Sequence, residues 1–346
     1  EIVLGEILTL SEISEDAIDP VLVWANSQYR VLWREGDVLM GRTVGVAESV
    51  ILTDTASGVP AAAWNGKSLV VTWPDNRGAG TGSTALFCAP FDDGYNKEEP
   101  ETDITAGITG FFQSPAAVQA DAQVGLVGIK SLPLSELLFV RLDGNGARIA
   151  APVTVASDAL EPSVTFDGSQ YSVVWREVTG EQSIILFRQM NAVGMLLAQP
   201  INISESDFPS VGPVIVRGGD GFAIVWQELN QPLESSIQLR LVSSTLELGE
   251  LVELVAPEAN ASVPAIVRGD SSFGVAWQEN RTGQAEVFFR EFDFLGNPRG
   301  GAVRLSSGDT ASNRPSLVYN GERFAASWQT GPTGARVIRF RTIDVP

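Results

Sequence analysis

An all-β chain built from seven copies of one unit is predicted by three features of this sequence. A proline and a tryptophan recur thirteen residues apart, as Pro20/Trp33, Pro60/Trp73, Pro162/Trp175, Pro213/Trp226, Pro264/Trp277 and Pro315/Trp328. Between them lies a turn pair rich in glycine: Asn65-Gly66, Asp167-Gly168, Gly218-Gly219, Asn320-Gly321. Apolar residues alternate with period two on both sides of that turn, as strands require. A seventh copy opens at Pro115 and carries Gly128 in the tryptophan position. From Pro162 the prolines follow every 51 residues, a period that signals a stacked or circular array.

The unit is clearest from Pro162 on. Ser163 to Phe166 reads as a first strand, Asp167-Gly168 as a two-residue type I′ hairpin turn, and Gln170 to Arg176 as a second strand. A third strand follows at Ser183 to Gln189 and a fourth near Pro200 to Ser204. Four antiparallel strands in about fifty residues make one blade, so the prediction is a single seven-bladed β-propeller over residues 1–346, with blades starting near 20, 60, 115, 162, 213, 264 and 315. The last copy ends after its third strand, Val337 to Thr342, while Glu6 to Ser11 resembles the fourth-strand segments Pro200 to Ser204 and Ala302 to Ser306. Residues 1–13 are therefore expected to supply the outer strand of blade seven and cover its edge.

Composition narrows the function. The formal charge is −19, from 23 basic against 42 acidic residues, which repels nucleic acid and anionic lipid. No apolar run approaches the roughly eighteen residues that span a bilayer, so membrane insertion is not expected. There is no histidine, which excludes a Ser-His-Asp triad, a histidine-ligated metal and a histidine base. Cys88 is alone and sits in an apolar strand, as a small buried hydrophobe would. No cofactor is implied, although calcium through oxygen ligands stays open.

The phrase Asp167-Gly-x-x-Tyr171-x-Val-Val-Trp175-x-Glu177, followed by a strand with arginine and a turn with glycine, resembles the tandem "YDGxxYLVVWxD" repeats of secreted and surface-associated bacterial proteins. The resemblance covers essentially the whole chain and implies an extracellular propeller, secreted or at the cell surface, with no shared catalytic residues. Gly128 and the short first blade, 40 residues from Pro20 to Pro60, depart from it.

Three recurrent positions carry chemistry. The tryptophans could form a sugar-stacking platform, but a large flat side chain more often fills the wedge between blades. An acid follows two residues later in five blades, as Glu35, Asp75, Glu177, Glu228 and Glu279; it could build a cation or sugar site, or serve its own loop or an arginine. The third strands carry Arg42, Arg141, Arg188, Arg240, Arg290 and Arg341, suited to forked pairing with carboxylates. Arg268-Gly269-Asp270 spells an integrin-binding tripeptide, yet occupies the first hairpin turn that the repeat already requires.

Blade three breaks the pattern twice, with Gly128 for tryptophan and Lys130 for the acid, beside the acidic connection Asp92 to Asp103. Unless Phe111, Phe112 or Phe139 fills the space, a ligand pocket lined by Asp75, Lys130 and Glu177 is expected between blades two, three and four. The expected function is a non-catalytic extracellular recognition or assembly module that binds a protein or glycan partner through a propeller face. A carboxylate-based carbohydrate-active enzyme and a purely structural component of a cell-surface assembly are the alternatives.

Overall fold

The computed structural model describes residues 2–12, 15–77, 83–131, 134–180, 182–231, 234–281 and 283–346. The chain is a seven-bladed β-propeller of antiparallel sheets. Blade four, for example, is Ala159–Phe166, Gln170–Thr179, Gln182–Asn191 and Ile201–Asn202. Blade seven takes Ser312–Tyr319, Phe324–Thr330 and Val337–Asp344 from the C-terminal end, and both Val3–Leu4 and Leu8–Thr9 pair with its third strand. The predicted outer strand is thus present, joined by a second short strand ahead of it.

The constant proline-to-tryptophan interval follows from a bulge. In blade four Leu160 pairs with Arg176 and Ser163 with Val174, so Glu161 and Pro162 together stand opposite Trp175. Blades three, five, six and seven repeat the same two-against-one register. The residue before the proline is left-handed in six blades, with φ between 50° and 60° at Asp19, Ser114, Glu161, Gly212, Val263 and Arg314, whereas Val59 of blade two is not. A bulge leaves one strand residue without its ladder bond, and proline has no N–H to leave unpaired.

The hairpin turn differs from the type I′ expectation. In blade four Phe166 pairs with Tyr171, and Asp167 N–H donates to the Gln170 carbonyl across a four-residue loop. Asp167 Oδ1 accepts from the N–H groups of Ser169 and Gln170, and Asn65 and Asn320 do the same in blades two and seven. Only the glycine is left-handed there, at Gly66, Gly168 and Gly321. The side-chain oxygen closes the loop, so a second positive φ is unnecessary. Arg268-Gly269-Asp270 enters a loop of the same length, with Gly269 N–H bonded to the Ser272 carbonyl and Asp270 accepting from the Tyr319 hydroxyl, although Gly269 has no side-chain oxygen to close it and is not left-handed.

The fourth strands share a second device. A hydroxyl accepts a third-strand N–H in four blades: Thr105 from Leu86, Ser204 from Ile185, Ser306 from Val287 and Ser11 from Ile338. Ser11 falls in register with the others, which explains why its segment looked like a fourth strand. The third-strand arginines bind carbonyls rather than pairing by rule with acids. Arg188 reaches Val155 on the fourth strand of the preceding blade, and Arg240 and Arg341 reach Ile203 and Leu305, each the residue just past that strand. Arg240 alone of these three also pairs with an acid, Glu205.

Two compact units are distinguished. One comprises Glu1–Leu22, Thr179–Ile185 and Ile203–Pro346. Its cores gather Phe273, Trp277 and Phe292, and then Phe289, Phe324 and Trp328 with Ile2, Leu4 and Ile7 packed against them. Leu22 N–H donates to Ser316 Oγ and Asp19 N–H to Gln329 Oε1, tying the start of blade one to blade seven. Asp16 forms a two-pronged ion pair with Arg336, 2.6 Å at its shorter arm. Those bonds hold the Asp16 carboxyl at about 2, below the ordinary range near 4. A depressed carboxyl stabilises the fold above its unfolded pKa and loses that stabilisation as pH falls through the folded one. The stability gap between the wild type and Asp16→Asn, measured by denaturant melts, should therefore be constant above pH ~4 and vanish towards pH ~2.

The other unit comprises Val23–Val178 and Leu186–Asn202. Its core holds Val70, Leu86, Cys88, Phe112, Leu126 and Val140. Burial pushes the Cys88 thiol up to about 12, so it is a hydrophobe with little thiolate. The acidic connection after Phe91 is anchored by Arg30, which is wholly buried, bonds the Asp92 carbonyl, pairs with Asp93 and lies over the Tyr95 ring. No helix among the described residues is long and apolar enough to cross a membrane.

Candidate functional site

The acids that follow the tryptophans mostly serve those same tryptophans. Residues two apart on one strand share a face. The indole N–H of Trp33 donates to Glu35 at 2.7 Å, that of Trp73 to Asp75 at 3.0 Å and that of Trp277 to Glu279 at 3.1 Å. Arginine two residues further on completes the set in two blades: Arg77 grips Asp75 and Arg281 grips Glu279. The sequence carried a signal for this, because blade three loses tryptophan and acid together.

Asp75 is fully buried and also accepts from Thr55 Oγ1 at 2.6 Å. Burial raises its carboxyl pKa, but the bonds from Arg77, Thr55 and Trp73 outweigh burial and leave it below the ordinary range. Lys130 pairs with Glu136 on the next strand, and its stem lies against Gly110, where an added Cβ would come within 2.8 Å of Lys130 Cγ. Glu177 is half-buried at the end of its strand, paired by backbone with Ala159. Among the described residues no hydrogen bond or ion pair joins these three. The space of the missing indole at Gly128 is taken by Leu86, whose Cδ1 would lie 2.8 Å from a Cβ there. Phe139 packs on Tyr171, with ring centres 4.6 Å apart.

A pocket does open in the same irregular arc, one strand away from two of those residues. It has a volume of about 340 Å³ and is lined by Ser83, Thr84, Asp103, Thr105, Gly107 and Thr109, among others. Ala85 on its wall pairs with Asp75, and Phe112, bonded to Thr84, pairs with Lys130. Thr84 Oγ1 both donates to the Phe112 carbonyl and accepts its N–H, which fixes one wall. Asp103 Oδ1 accepts from the Thr105 N–H and hydroxyl, both at 2.8 Å, and shapes the other. Gly107 is left-handed at φ +84°, turning the chain back between Thr105 and Thr109. Asp103 is half-buried and Thr109 exposed, so the pocket's lining includes a partly accessible acidic residue and an accessible threonine. No motif announces this pocket, since backbone turns and framework hydroxyls build it.

No protein-family model matches the chain, and no curated protein matches it in sequence. Solved structures match it in shape. The subtype N10 neuraminidase-like protein of A/little yellow-shouldered bat/Guatemala superposes with a TM-score of 0.56 at 10% identity, over 83% of this chain and 93% of that one. The subtype N11 neuraminidase-like protein of A/flat-faced bat/Peru gives 0.55 at 8% identity, over 99% of this chain and 94% of that one. A sialidase of Trypanosoma rangeli gives 0.50 at 11% identity, over 86% of this chain and 56% of that one. At such low identity these likenesses establish what the chain shares with them, the propeller fold.

Proposed function

We propose that the chain is a non-catalytic recognition module, secreted or displayed on a cell surface, that binds a glycan through the pocket between blades two and three. The pocket carries the reading. Its volume of about 340 Å³ lies at the small end of ligand sites and suits one or two sugar rings. Its hydroxyls, turned backbone and single carboxylate, Asp103, offer the alternating donors and acceptors that sugar hydroxyls need. Glycoside hydrolysis takes two carboxylates across one bond, whereas Asp75 and Glu279 are engaged by indole and arginine. The names of the similar folds, sialidase and neuraminidase-like, add that propellers of this shape include proteins named for sugars.

A glycan array followed by calorimetry tests the reading. Thr109→Trp, an exposed position whose larger side chain fills the pocket, should weaken the best ligand at least about tenfold, or 1.4 kcal/mol, without lowering the melting temperature. The bound glycan should be recovered uncleaved. An array without a retained glycan, or affinity unchanged in Thr109→Trp, overturns it.

A further inference from the structure

Blade five breaks the tryptophan-acid pairing in a way that leaves buried charge unanswered. Its strands are Ser210–Gly218, Gly221–Gln231, Glu234–Ser243 and Leu248–Val255. Trp226 and Glu228 occupy the positions of Trp73 and Asp75, but Trp226 Nε1 and Glu228 Oε2 are both buried without a hydrogen-bond partner. Glu228 is only 5% exposed. The arginine that neutralises the acid in blades two and six is replaced by Asn230, whose amide makes one long bond of 3.4 Å to Glu228 Oε1. Blade four also has an unpaired indole, at Trp175, but there the acid, Glu177, is half-buried and open to water.

The register gathers further oxygens on the same face. Glu228 pairs with Ser210 on one side and Ser236 on the other. Ser210 Oγ is likewise buried without a partner, on the residue directly cross-strand from Glu228. Ser236 Oγ donates to Asn230 Oδ1 at 2.9 Å, and Gln238 donates to Ser236. Glu253, cross-strand from Gln238, adds a third-row carboxylate; its carboxyl is pushed up by burial and by Glu258 and Glu228. An ionised group taken out of water without a counter-charge costs several kcal/mol, and among the described residues no cation pairs with Glu228.

We propose that the Glu228 face of blade five binds a hard cation, Ca²⁺ in the first instance, through Glu228 Oε2 and Ser210 Oγ. All the candidate donors are oxygen, the preference of calcium, while zinc and copper sites want nitrogen or sulfur. No three acidic side chains among the described residues converge as a cage. The ion is therefore held by one buried carboxylate, the hydroxyl and water, in a partly hydrated site. A bound water is then left to face the indole N–H of Trp226.

Thermal melts in chelator and in CaCl₂, with Tb³⁺ emission excited through indole as a second readout, test it on the full chain. The wild type should melt several degrees higher when Ca²⁺ stands about 100-fold above its Kd. Glu228→Gln should lose that shift and the bulk of the Tb³⁺ emission. Asn230→Arg, which restores the arginine of blades two and six, should melt higher than the wild type in chelator and no longer respond to Ca²⁺. A wild type that melts alike with and without Ca²⁺, or a shift that survives in Glu228→Gln, overturns the site and leaves ordered water as the partner of Glu228.

Discussion

A chain lacking residues 1–12 should melt far below the intact protein and associate through the edge it bares. Leu8 and Thr9 pair with Phe340 and Arg339, and Leu10 N–H donates to the Ile338 carbonyl at 2.8 Å. Ser11 caps the Ile338 N–H, and the Gly5 carbonyl accepts from Arg341. Leu10 is 2% exposed, so its removal alone costs about 2–5 kcal/mol, before the packing of Ile2, Leu4 and Ile7 is counted. The deletion also uncovers a strand from Val337 to Asp344 with one row of N–H and C=O groups unpaired, the template for edge-to-edge association. Size-exclusion chromatography with light scattering and a thermal melt measure both effects. Elution and melting temperature equal to those of the full chain would contradict the role of the N-terminal strands.

This part of the fold was legible because strand position is written in residue type. Leu10-Ser11 repeats Ile203-Ser204 and Leu305-Ser306, and in each the hydroxyl meets the same third-strand N–H. The proline-to-tryptophan interval was legible as a number, but its cause was not. Thirteen residues are what separate a bulge from the position facing it once a hairpin of fixed length lies between them, and a bulge has no sequence signature beyond its proline. The type I′ expectation failed for a related reason. Asp-Gly and Asn-Gly suit that turn, but Asp167, Asn65 and Asn320 use the side-chain oxygen instead, and the glycine alone takes the left-handed conformation.

The chemistry was less legible. Five acids at one repeat position suggested convergence on a shared ligand, yet three of them face inward to an indole two residues away. The arginines suggested carboxylate partners, yet Arg188 and Arg341 bind backbone carbonyls in or just past a fourth strand, acceptors that every sequence possesses and none advertises. In blade three the Leu86 side chain lies where a Cβ at Gly128 would point. A pocket opens one connection earlier, lined by Asp103 and Thr109 among others, where the distinguishing feature is the path of the backbone.

Trp226→Ala should cost about 3–5 kcal/mol in a urea melt, because the indole is wholly buried and its removal leaves a cavity in a packed blade. The phenylalanine variants separate packing from polar pairing. Trp226→Phe keeps most of the buried area and removes an N–H that no protein atom accepts. Trp73→Phe removes the same area but takes a donor from Asp75, a fully buried carboxylate, for an added cost of about 1–3 kcal/mol. The expected order of destabilisation is therefore Trp226→Ala largest, Trp73→Phe next and Trp226→Phe least. A solvent-facing sugar platform would invert the first of these, since truncating an exposed ring leaves stability intact and removes ligand affinity. A Trp226→Ala protein that melts within about 0.5 kcal/mol of the wild type, the range of an ordinary surface substitution, would overturn the wedge.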